Sequence, residues 1–107
     1  MAIEFTDPLT FNFNPTTGQP ATLQLRTPPF RGNVLKAQAM LAGFDITYRN
    51  GDHHVLREEI ELSVNGDAAH PNTVLVNAAF LLRDSSGNID DPFSGSMKAV
   101  VIAETTA

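Results

Sequence analysis

A chain of 107 residues without cysteine has room for one domain with its own apolar core, and it excludes disulfides and thiolate–metal sites. Twelve Asp and Glu against seven Lys and Arg leave a net charge of −5 and no basic cluster, which argues against nucleic acid and anionic membranes as partners. No apolar run approaches the ~20 residues of a membrane helix, and Met1-Ala2-Ile3-Glu4 lacks the basic and apolar regions of a secretory signal, so the compartment stays unassigned.

Ile3-Glu4-Phe5 is predicted to be a short edge strand ending at Asp7-Pro8. Leu9, Phe11 and Phe13 alternate with Thr10 and Asn12, the two-residue period of a strand. Asn14–Pro20 gathers Asn, Pro and Gly and is predicted to be a turn cluster. Ala21–Thr27 alternates again, with Leu23 and Leu25 on one side and Thr22, Gln24 and Arg26 on the other. Thr27–Gly32 contains Pro28-Pro29 and reads as a stiff linker, because Pro cannot donate to a sheet ladder. Residues 1–30 therefore suit an N-terminal arm or hairpin outside the core sheet.

Val34–Ala42 has the composition of two helical turns. It also alternates, and its neighbours are strand-like, so a strand is favoured over an isolated helix. Gly43 then marks a bulge or bend, and Phe44, Ile46 and Tyr48 continue along one face. Asn50-Gly51-Asp52 is a tight hairpin signal, and Asn65-Gly66-Asp67 opens a second turn.

Three longer strands follow. His53–Asn65 sets Leu56, Ile60, Leu62 and Val64 against a polar face. Thr73–Arg83 and Ser96–Glu104 are apolar on both faces. The whole predicts an all-β antiparallel sandwich of six to seven strands in a single domain, 1–107. Strands apolar on both faces need cover on their outer side, from the N-terminal arm or from another subunit.

Few residues invite chemistry. His53-His54 follows a turn, but neighbours on a strand face opposite ways and do not share one metal readily. Glu58 falls between Leu56 and Ile60 on the apolar face, where a carboxylate needs a partner such as Arg49, Arg57 or Arg83, unless it is a functional carboxylate or a local bulge turns it outward. The loop Asp84–Pro92 reads as a polar hairpin loop with its own Asx turns. The oxygens of Asp84, Ser86, Asn88 and Asp90 also carry the every-other-residue spacing of a calcium loop. That loop has Ile89 and Gly95 where an EF-hand has Gly and Glu. No nucleophile, phosphate-loop or zinc-protease motif occurs, so the chain is not read as an enzyme and needs no cofactor beyond that calcium option.

Four segments resemble the H-type lectin family in order and character. They are Ala42-Gly43-Phe44-Asp45, His54–Val64 with Arg57, Val74–Leu82, and Val100-Val101-Ile102-Ala103, within a span of about Phe30 to Glu104. Val101 stands where the family usually has Trp. The resemblance implies a six-stranded sandwich, a homotrimer, and glycan binding in grooves between subunits. Its candidate contacts here are Asp45, Arg49, His54 and Arg57, whose donors and acceptors suit sugar hydroxyls. The second functional class that fits is a structural or assembly subunit of a secreted particle or phage-like appendage. Seven Phe, one Tyr and no Trp leave few stacking platforms for a sugar, which favours that class.

Overall fold

A computed structural model describes residues 1–16, 19–48, 55–84 and 93–107, with backbone alone at 16, 47–48, 55–57 and 83–84. The described residues form seven strands: β1 (Ala2–Phe5), β2 (Leu9–Thr16), β3 (Ala21–Arg26), β4 (Val34–Tyr48), β5 (Val55–Gly66), β6 (Val74–Asp84) and β7 (Phe93–Thr105). They build two antiparallel sheets packed as a sandwich.

In the first sheet β7 is central. β4 pairs along one edge of β7, from Val34↔Thr105 to Tyr48↔Phe93. β1 and β2 share the other edge end to end, with Phe5↔Ile102 and Leu9↔Ala99 as their nearest pairs. In the second sheet β6 is central, between β3 and β5. Residues 1–30 are therefore woven into both sheets and form no separate arm. The chain crosses between sheets at Arg26–Val34, where Pro28-Pro29 could not have continued a ladder.

Val34–Ala42 is strand, and the ladder shifts register between Leu41 and Gly43, the bulge predicted at that glycine. β2 runs further than its alternation suggested, through Pro15 to Thr16, because a second register shift after Phe13 accommodates the proline. The turn predicted at Asn50-Gly51-Asp52 lies outside the described residues.

The core lies between the sheets. Phe13 meets Phe80 edge to face at 4.6 Å, Phe80 meets Phe93 at 5.3 Å, and Phe11 stacks on Phe13 at 6.5 Å. Val76, Ala78 and Leu82 from β6 and Met97, Ala99 and Val101 from β7 complete it, all buried. Central position explains most of the two-sided apolarity of β6. On its outer side Leu81 is flanked by Pro20 and Glu59, and Leu75 pairs with Arg26 and Asn65. Long polar side chains on neighbouring strands shield these leucines with their stems. On the outer side of β7, Gln38 and Lys36 flank Ile102 and Glu104, but Val100 and Ile102 also stand beside the exposed Met40 and Phe5.

Glu58 is exposed, not buried with an arginine. It lies on the edge strand β5 opposite Leu82, before the partly buried Ile60, Leu62 and Val64 that pack on the core. An edge position lets the carboxylate reach water, so it needs no partner.

Candidate binding surfaces

The two outer faces of the sandwich differ in chemistry. On the second sheet two cross-strand rows lie side by side. Gln24, Asn77 and Ser63 form one; Thr22, Ala79 and Glu61 form the other. Partners directly opposite in an antiparallel sheet share a face. Inner-face residues Leu23, Ala78 and Leu62 alternate with them and pack towards the core. The small Ala79 between Thr22 and Glu61 lowers the floor, and the face holds an open depression of ≈ 860 Å³. Gln24 Nε2 donates to Asn77 Oδ1 at 2.7 Å, so the central amides are held in place before any ligand arrives. The lining offers amides, hydroxyls and the single carboxylate of Glu61 beside the apolar Leu23, Ile60, Leu62, Ala78 and Ala79. This is hydrogen-bonding chemistry for an uncharged polar ligand.

The outer face of the first sheet is apolar at one end. Ile3 is 61% exposed, Phe5 66% and Met40 47%, and they flank the half-buried Val100 and Ile102 on β7. β1 is inverted relative to an ordinary edge strand: Ile3 and Phe5 point to solvent while Glu4 points in. Glu4 Oε2 accepts from Thr105 Oγ1 at 2.6 Å and from Gly32 N–H at 3.3 Å, and its Oε1 accepts from Arg31 N–H at 2.9 Å. The Thr105 hydroxyl above all, then the Arg31 amide, hold the Glu4 carboxyl below its ordinary value despite the opposing effect of burial. Slipping β1 by one residue would bury Ile3 or Phe5 but would break all three bonds. The exposure of Ile3 and Phe5 is thus fixed by the register.

A second carboxylate, Asp67, ties down the β5–β6 turn. Its Oδ2 receives Arg26 Nε at 2.8 Å and lies 3.3 Å from His70 Nδ1, and its Oδ1 accepts from Ala69 N–H. Burial pushes the Asp67 carboxyl up, but the Arg26 guanidinium and its hydrogen bond outweigh this and hold it low.

The sugar contacts inferred from the lectin resemblance are only partly within the described residues. Asp45 is exposed on the outer face of the first sheet, in a row with Ser96 and Asn12. Arg57 belongs to the second sheet, where its backbone pairs with Arg83. Arg49 and His54, like His53, lie outside the described residues. So do Ser86, Asn88 and Asp90 of the calcium option, while the backbone of Asp84 ends β6. Among the described residues no three His, Asp or Glu side chains come together to hold a metal.

The polar rows of the second sheet were visible in sequence only as the polar sides of Ala21–Thr27 and His53–Asn65, while Asn77 stood on a strand read as apolar on both faces. Register, which sequence did not supply, is what places Gln24 against Asn77 and Ser63. Glu4 left one signal, a carboxylate between two large apolar residues in a three-residue strand.

No protein family, curated protein or solved structure matches the chain.

Proposed function

We infer that the chain is a non-enzymatic carbohydrate-binding module that works as a homo-oligomer, in the manner of the H-type lectins it resembles. The observation that carries this reading is the contrast between the two outer faces. One presents fixed amides and hydroxyls around an open depression; the other presents exposed Ile3, Phe5 and Met40. Neutral glycans present dense hydroxyls that match the first kind of surface. Exposed apolar clusters rimmed by polar residues mark protein contacts.

The sugar is expected to lie across the second sheet, over Gln24, Asn77 and Ser63, with Glu61 and Thr22 at its margin. Asp45 and Arg57 sit in different sheets, which favours this face over the contacts inferred from the resemblance. The test is a glycan array with the wild-type chain, Asn77→Ala and Arg57→Ala. Binding to one class of neutral glycan, weakened in Asn77→Ala and kept in Arg57→Ala, is the expected result. Loss in Arg57→Ala alone returns the site to the resemblance-based residues, and silence of a folded wild-type protein overturns carbohydrate binding.

The second reading is an assembly subunit without a small ligand. The observation favouring it is the 15-residue strand β4, which among the described residues pairs only with β7 and leaves its other edge open beside the apolar face. An open edge of that length is a template for adding another strand.

A further inference from the structure

The outer side of β7 reads Lys98, Val100, Ile102, Glu104: a cation, two aliphatic residues and an anion, alternating without a break along β7, while the register shifts lie on β4 beside Lys98 and Glu104. The pattern is centred on Val101, with Lys98 and Glu104 three residues to either side. Among the described residues no ion pair engages Lys98 or Glu104, and Lys98 is exposed. The apolar residues of the neighbouring strands gather at the same level. Phe5 lies beside Ile102 and Met40 beside Val100.

We propose that this face packs against the same face of a second copy, with the two β7 strands antiparallel across a two-fold axis level with Val101. The antiparallel arrangement sets Glu104 of each copy over Lys98 of the other, and Val100 over Ile102. Met40 then meets the stem of Gln38, since these lie beside Val100 and Ile102 on β4. Lys36, opposite Glu104, falls over Gly43, opposite Lys98, where a side chain would meet open space. The alternative axis, parallel to the strands, would stack Glu104 on Glu104 and Lys98 on Lys98. Charge therefore selects the axis. A strongly cationic partner would meet Lys36 beside Glu104 at one end of this face and Lys98 at the other. Packing of two sheets face to face with strands nearly aligned is an ordinary sandwich geometry. The bonds that hold Glu4 inward keep Phe5 and Ile3 available to this contact.

The inference gives the oligomeric half of the proposed function its surface and symmetry, and it departs from the trimer that the lectin resemblance implies. It is tested by light scattering of the full chain at micromolar concentration, with circular dichroism as the check on folding. Wild type is expected at twice 11.6 kDa. Lys98→Glu and Glu104→Lys are each expected at the single-chain mass, and the double exchange Lys98→Glu/Glu104→Lys at twice that mass again. Phe5→Asp, at a residue 66% exposed, is expected to be folded and monomeric. A wild type at 11.6 kDa or at three times that mass overturns the proposal. So does a folded double exchange that stays monomeric, or a Phe5→Asp variant that stays dimeric. Glycan binding by a monomeric wild type would overturn this interface and leave the carbohydrate reading intact; a dimer silent on the array would do the reverse.

Discussion

Thr105 Oγ1 donates to Glu4 Oε2 at 2.6 Å, a short side-chain bond that joins the first strand to the last beside their backbone ladder at the end of the sandwich. The bond fixes which residues of β1 face out. An inward carboxylate on an edge strand also discourages the strand from pairing elsewhere.

The Glu4 lock makes stability depend on pH. The folded-state pKa of Glu4 lies below its ordinary 4.5, so its contribution is full above that value and is lost as pH falls through the lowered pKa. Glu4→Gln is expected to melt lower than wild type at pH 7, with the gap closing in acid. Asp67, also held low, weakens both proteins in acid alike and cancels in the comparison. Thermal melts of both proteins from pH 7 to pH 3 check this; a gap that widens in acid contradicts it.

Phe80 touches both Phe13 and Phe93 and is 1% exposed. Phe80→Ala leaves a cavity between the sheets and is expected to cost about 3–5 kcal/mol. The midpoint of urea unfolding, with an unchanged slope, reads this directly.

Gly95 and Gly43 make a matched pair. A Cβ on Gly95 would collide with the Asp45 carbonyl oxygen and come within 2.7 Å of Ile46 Cα on β4, whereas one on Gly43 meets nothing within 4 Å. Gly95→Ala is expected to destabilise by about 1–3 kcal/mol, because backbone on a paired strand cannot step aside easily. Gly43→Ala is expected to stay within about 0.5 kcal/mol of wild type. Equal losses in the two variants would show that the close approach at Gly95 does not govern its identity.

The fold was legible where the alternation was long. Leu23 and Leu25, Val74 through Leu82, and Met97 through Ala103 all take the core side that their two-residue period assigns. The composition of Val34–Ala42 hinted at helix, but pairing with β7 overrode it, as tertiary context does for a weak local preference. Three things were not legible. The linker-like prolines at 28 and 29 made residues 1–30 look detached, when they serve to carry the chain from one sheet to the other. Glu58 looked buried because alternation assigns a face but not a distance from the core, and it sits at an edge. The polar rows of the second sheet depend on which strands are neighbours, which a single strand's sequence does not encode.

The central claim is that the two outer faces are two separate surfaces, one for glycan and one for a second copy. Backbone amide NMR of a single sample, first diluted and then titrated with the best glycan from the array, tests it most directly. Dilution is predicted to move Ile3, Phe5, Met40 and residues 98–104, while glycan moves Thr22, Gln24, Glu61, Ser63, Asn77 and Ala79. Glycan-induced shifts confined to Asp45 and Arg57, or dilution shifts on the second sheet, would contradict the account.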